Sequence, residues 1–185
     1  MKRGILALLL LCASFACRAE DADELPDNKK LPKCDKVEIL RLEGSVLEDA
    51  NGHPRYKPEQ RPTGIESYYV EYAGGYWTRL YGTKTLRGDD AERIATYWRA
   101  LAPEPPPPGV GRGLAKCHVP GFAFRFYSGD KLFAESTVCW MCENLGIHIG
   151  GKFAARSFDP KALPAKDLLA AGQKFFPDVK TEFDK

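Results

Sequence analysis

The sequence predicts a single α+β domain, a mostly antiparallel sheet with two main helices packed on one face. Three observations carry this. Alternating polar and apolar runs come in pairs joined by turn residues. Each group of runs is followed by one stretch of helical periodicity. The order of strands and then helix occurs twice, which places the helices on a face of an antiparallel sheet rather than between parallel strands.

The first strand is Lys36-Val37-Glu38-Ile39-Leu40-Arg41-Leu42, with Val37 and Ile39 facing inward and, through a slip of register near its end, Leu42 as well. Residues 48 to 66 hold Gly52, Pro54, Pro58, Pro62 and Gly64 and read as a loop, in which His53 is solvated. Ser67 to Tyr72 and Tyr76 to Tyr81 flank Gly74-Gly75, a hairpin signal. A two-residue turn there pairs Tyr72 with Trp77 and Tyr68 with Tyr81. Asp89 to Leu101 is a helix, capped by Asp89 or Asp90, with acids in its first turn. Its apolar stripe is Ile94, Tyr97, Trp98 and Leu101. Pro103 ends it, and residues 103–114 form a Pro/Gly-rich connector.

Phe122-Ala123-Phe124-Arg125-Phe126 and Leu132 to Trp140 alternate cleanly around Tyr127-Ser128-Gly129-Asp130. Arg125 and Glu135 fall on one face as a surface ion pair. Leu145 to Gly150 is a further strand, with His148 on the surface side, and Lys152 to Phe158 is a fourth. Ala165 to Phe176 is the closing helix, with Leu168, Leu169 and Phe175 inside.

The ends and the charge bound the function. Lys2 and Arg3 precede the apolar run Gly4 to Ala16, and small residues follow, the pattern of an export signal over residues 1–19. The run is shorter than the roughly 20 residues that a membrane span needs. Cleavage fits after Ala16 or Ala19. Processing at Cys17 would give a lipoprotein with a lipid anchor instead. The expected location is therefore the periplasm, or the outer membrane as a lipoprotein. Residues 20–33 read as a flexible leader and residues 34–185 as one domain. Without Lys2, Arg3 and Arg18 the 27 basic side chains become 24 against 25 acids, net −1. That balance excludes the basic footprint of a nucleic-acid binder. No second run approaches membrane length. No Gly-x-Ser-x-Gly, phosphate loop, His-rich metal motif or Rossmann glycines are present, so no catalytic residues are assigned.

Four cysteines downstream of the signal carry what chemistry there is: Cys34, Cys117, Cys139 and Cys142. Phe122, Phe124 and Phe126 must share a face with Leu132, Ala134 and Val138, which requires an odd loop between the strands. A three-residue loop sets Cys117 opposite Cys139. A shift of two sets it opposite Met141, and the partner stays open. Either choice puts Cys117 beside the Cys139-Trp140-Met141-Cys142 run. In an oxidising compartment this is a disulfide set, with Cys117 bonded to one member of the pair and Cys34 to the other. The alternative is zinc held by Cys117, His118, Cys139 and Cys142, or by the three sulfurs with Cys34. A third reading is thiol-redox chemistry, which wants its first cysteine at a helix N-terminus, whereas Cys139 leaves a strand. His118 more simply serves as a half-buried hydrogen-bonding residue.

The stretch Cys117-His118-Val119-Pro120-Gly121-Phe122-Ala123-Phe124-Arg125-Phe126-Tyr127, the turn Gly129-Asp130-Lys131-Leu132 and Cys139-Trp140-Met141-Cys142-Glu143-Asn144 together resemble a set of uncharacterised bacterial proteins. These share C-H-x-P, an aromatic strand, a Gly-turn and C-[WF]-x-C, often followed by Asn. The resemblance covers roughly residues 115–180 and includes the closing helix near Phe175-Phe176-Pro177. It implies a shared fold and cysteine cluster but no activity. Not all such proteins are exported, which favours metal more than compartment alone does. The expected function is that of an exported envelope protein in a binding or structural role, with no enzymatic activity and no cofactor. The alternative is a zinc-binding or thiol-redox protein built on Cys117, Cys139 and Cys142.

Overall fold

A computed structural model describes residues 30–48, 51, 54–71, 75–101 and 117–179. The signal segment, the leader up to residue 29, His53, Tyr72, Gly74 and the 103–114 connector lie outside the described residues. Seven strands form one sheet: β1 (Lys36–Leu42), β2 (Ser67–Val70), β3 (Tyr76–Arg87), β4 (Phe122–Ser128), β5 (Lys131–Cys139), β6 (Asn144–Ile149) and β7 (Lys152–Ser157). Two helices complete it, α1 (Asp89–Leu101) and α2 (Leu163–Gln173). The strand order is β2-β3-β1-β4-β5-β6-β7, and every pairing is antiparallel.

The expected α+β layout, with two main helices packed on one face, is corrected. The molecule is mainly β, a sheet curled into a half-barrel with two short helices. The reason is width. Seven strands about 4.8 Å apart span about 29 Å. Two helices, each about 10 Å across, cover about two thirds of that. Curling closes the remainder, and it shows in contacts that skip strands. Tyr68 of the edge strand β2 donates its hydroxyl to Glu135 of β5. His148 Nε2 of β6 stands 3.2 Å from the Glu71 carboxylate just past β2. β3, β1 and β4 lie between these elements in sheet order.

The curl makes two cores. On the outer side, Val37, Ile39, Phe122, Phe124, Phe126, Val138 and Ile147 pack with Ala91, Ile94, Trp98 and Leu101 of α1 and Ala165, Leu168 and Leu169 of α2. Trp98 stacks on Phe126, centroids 4.5 Å apart. Gly172 of α2 rests on Phe122, whose ring atoms lie 2.8 Å from where a Cβ would stand. On the inner side, Leu40, Leu42 and Ala123 meet Tyr68 and Val70 of one edge strand, with Phe153 and Ala155 of the other packed against them.

Several local expectations change. α1 begins at Asp89, and Gly88 (φ 59°), whose C=O accepts the Glu92 N–H at 3.1 Å, holds the cap position in place of Asp89 or Asp90, while the Asp90 carboxylate pairs with Arg93. Tyr97 is only partly buried, and Leu42 packs with Leu40 on the inner side rather than with Val37 and Ile39, although a register shift does fall between Arg41 and Leu42. β2 and β3 pair Tyr69 with Trp77 and Tyr68 with Thr78, not Tyr72 with Trp77 and Tyr68 with Tyr81. The connection is longer than two residues, and that sets the register. The β4–β5 connection also differs. Ser128 pairs with Lys131 around Gly129-Asp130, and a bulge follows between Phe126 and Tyr127. The extra residue on β5, Phe133, supplies the odd count. Ala134 and Val138 thus share the face of the phenylalanines, while Leu132 is exposed.

Candidate functional site

Antiparallel pairing brings the end of β1, the start of β3, the approach to β4, the end of β5 and the start of β6 to one end of the sheet. Three of the four cysteines gather there. Cys117 and Cys142 stand at disulfide distance, with Cα atoms 6.1 Å apart. Both expected registers miss the pairing actually seen, in which Phe122 faces Val138 and the ladder ends. Beyond it the chain turns tightly through Trp140 to Glu143, with Glu143 N–H donating to Trp140 C=O at 3.2 Å and Glu143 at φ 53°. That turn, rather than a continued ladder, carries Cys142 to Cys117.

Cys139 is a buried free thiol. Its sulfur accepts the backbone N–H of Cys142 at 3.2 Å and that of Val119 at 3.4 Å. Burial raises its pKa, while these N–H donors act in the opposite direction. Cys34 is also a buried free thiol, but it lies elsewhere. Its N–H donates to Glu92 and its sulfur to Lys36 C=O, and Asp35 N–H bonds Tyr127 C=O. Tyr127 sits five residues along β4 from Phe122, about 16 Å at 3.3 Å per residue. Cys34 as the second disulfide partner, or as the fourth zinc ligand, is therefore corrected. The sheet holds it at the other end, because β1 runs antiparallel to β4.

His118 is buried and fully engaged. Nδ1 bonds Asn144 Oδ1 at 2.5 Å, and Nε2 meets Thr137 Oγ1 at 2.8 Å. An amide oxygen only accepts, so Nδ1 carries the proton and the Thr137 hydroxyl donates to Nε2. Burial lowers the imidazole pKa to about 4, so the neutral form dominates near neutral pH. Asn144 also donates its amide to Cys117 C=O at 2.9 Å. The Tyr76 hydroxyl donates its one proton chiefly to His118 C=O at 2.5 Å, with Gly44 C=O at 3.0 Å sharing it. Gly44 (φ 87°) is required here, since a Cβ would meet Pro120 C=O at 2.9 Å. The segment from Cys117 to Pro120 is thus fixed from several sides. Asn144, Thr137 and Tyr76 were not expected in this role. Asn144 had a signal in its place after the C-x-x-C. Thr137 and Tyr76 had none, because only the curl and the register bring them in.

The inner face carries a second polar group. Glu38, Arg125, Glu135 and His148 stand side by side across β1, β4, β5 and β6. Arg125 Nε bonds Glu135 at 2.6 Å, and the Tyr127 hydroxyl bonds Glu38 at 2.8 Å. The expectation that Arg125 and Glu135 form a surface pair is corrected. Both are half-buried, because β2 folds over them and sets Tyr68 on Glu135.

Among the described residues, no group of three or more His, Cys, Asp or Glu side chains is arranged to hold a metal ion, and no helix is long and apolar enough to cross a membrane. The chain matches no protein-family model, no curated protein and no solved structure.

Proposed function

We propose that this is an exported envelope protein with a non-enzymatic binding or structural role, in which Cys117–Cys142 is a disulfide staple. The observation that carries the reading is the 6.1 Å Cα separation of that pair. It ties the approach to β4 onto the β5–β6 turn. Such a bond closes a loop of about 25 residues and stabilises by about 3 kcal/mol, chiefly through the unfolded chain. Disulfides persist in the compartment that the N-terminal segment predicts.

The zinc reading is weaker on geometry. Two of its three sulfurs hold each other, and both ring nitrogens of His118 are taken by Asn144 and Thr137. The series Thr137–His118–Asn144 has the hydrogen-bond order of a nucleophile, a base and an orienting group. All three are buried, and an imidazole near pKa 4 is a weak base at neutral pH. This supports the non-enzymatic reading.

Three measurements on protein from the periplasmic or membrane fraction test the proposal. Intact mass should show a chain starting at Cys17 or Glu20, and an intact Met1 refutes export. Labelled palmitate, lost in Cys17→Ser, would establish the anchored form. A thiol count on protein denatured in acid, where disulfides do not reshuffle, should find Cys34 and Cys139 as thiols, and metal analysis of the native protein should find no zinc. Stoichiometric zinc, with Cys117, Cys139 and Cys142 all reactive after chelation, overturns the staple.

A further inference from the structure

A staple needs two sulfurs, and this cluster has three. We propose that Cys139 is the internal nucleophile of a disulfide exchange: its sulfur displaces Cys117 from Cys142, and the Cys117 thiol so released is a surface site for mixed-disulfide formation with a disulfide-bearing partner. The inference goes beyond the staple and rests on the Cys117–Cys142 bond proposed above.

The step balances without a co-reactant. The Cys139 thiol gives up its proton, the Cys139–Cys142 bond forms, the Cys117–Cys142 bond breaks, and the Cys117 thiolate takes a proton from water. Reaction with a partner disulfide then joins Cys117 to one partner sulfur and expels the other as a thiolate.

Four observations support the exchange. The Cys139 sulfur lies against the Cys142 backbone, taking its N–H at 3.2 Å, and the tight turn through Trp140 to Glu143 makes the two cysteines near neighbours. Burial raises the Cys139 pKa, and Val119 and Cys142 aim two N–H donors at that sulfur, which offset part of that rise and are in place to stabilise the thiolate when it forms. Exposure rises outward, with Cys139 and Cys142 buried and Cys117 exposed, so the exchange moves the disulfide inward and the thiol out. A solvated thiolate is also the better leaving group. Finally, breaking the bond does not free the segment. Asn144 still holds Cys117 C=O, and Thr137, Asn144 and Tyr76 still hold His118. The released thiol therefore stays in place at the surface.

The test labels the mature protein with a maleimide under native conditions. Acid quench and peptide mapping then identify the labelled cysteine. Label is expected at Cys117, with Cys139–Cys142 as the accompanying disulfide. The rate should rise about tenfold per pH unit below the raised pKa of Cys139, and should fall at least tenfold in Cys139→Ala. Cys117→Ser changes an exposed residue, and it should form Cys139–Cys142 in oxidised glutathione. Wild-type protein treated likewise should carry glutathione at Cys117. Equal labelling of wild type and Cys139→Ala overturns the exchange, as does Cys117→Ser with Cys139 and Cys142 left as thiols. If Cys117 and Cys142 are both thiols before labelling, the staple fails and the exchange fails with it. If they are bonded but never exchange, only the exchange fails.

Discussion

The two faces of the sheet are made from the same alternating strands, yet they are held by different forces. The outer face is apolar and aromatic: Phe122, Phe124 and Phe126 lie under the helices, and Trp98 of α1 stacks on Phe126. The inner face mixes a small apolar cluster with a row of charges, Glu38, Arg125, Glu135 and His148, and ends at the buried His118. A convex face needs a separate layer to cover it, and helices supply area. A concave face is covered by its own edge strand, whose side chains arrive with hydroxyls and carboxylates. The outer face should therefore answer to volume and the inner face to charge and pH.

The largest expected effect is on the outer face. Trp98→Ala should destabilise by about 3 to 5 kcal/mol in urea melts. A loss below about 1 kcal/mol would mean that α1 does not pack through this face.

Next is the pH response of His118. Burial lowers its pKa in the fold to about 4, from an ordinary 6.5. The unfolded chain therefore takes up a proton on acidification that the fold refuses. This contribution to stability is complete above about pH 6.5 and is lost as the pH falls toward 4, about 3 kcal/mol in all. Denaturant midpoints from pH 7 to 4 should fall more steeply for the wild type than for His118→Gln. Equal slopes would remove the inner face's claim to pH sensitivity.

A smaller effect tests volume in the other direction. Gly172→Ala gains helix propensity of about 1 kcal/mol, but its Cβ meets the Phe122 ring at 2.8 Å. Overpacking of about 1 to 3 kcal/mol should win. A rise in melting temperature would show that α2 can shift and that the outer face is looser than its contacts suggest.

The smallest change expected is Glu135→Gln, about 1 kcal/mol, because the pair with Arg125 is partly solvated. The loss should shrink in 1 M salt. A loss that salt leaves unchanged would make Glu135 a packing residue and erase the contrast between the faces.

Periodicity made part of this legible. β1 and α1 have the ends the sequence predicts, because Val37 and Ile39 alternate and Ile94, Trp98 and Leu101 recur at helical spacing. The turn at Gly129-Asp130 was also legible. The bulge at Phe133 was not, because a bulge and an odd loop leave the same alternation. The site was half legible. C-x-x-C and Cys117 announced themselves, whereas Thr137 and Tyr76 look like any strand residues.

By itself, then, the sequence determined the ends of β1 and α1, the approximate place of the other elements, and that three cysteines belong to neighbouring elements. These follow from local backbone preference and side-chain period, which act over a few residues. β3, by contrast, runs on past Tyr81 to Arg87, and α2 covers Leu163–Gln173 rather than residues 165 to 176, leaving Phe175 beyond its end and only partly buried. Only the tertiary structure decided that seven strands curl into one half-barrel, that Tyr68 reaches Glu135 across it, that Cys142 rather than Cys139 meets Cys117, and that Cys34 sits at the far end of the sheet. Those outcomes depend on register and curvature. Both are set by loop lengths, bulges and the need to bury a face wider than two helices can cover, and no local pattern encodes them.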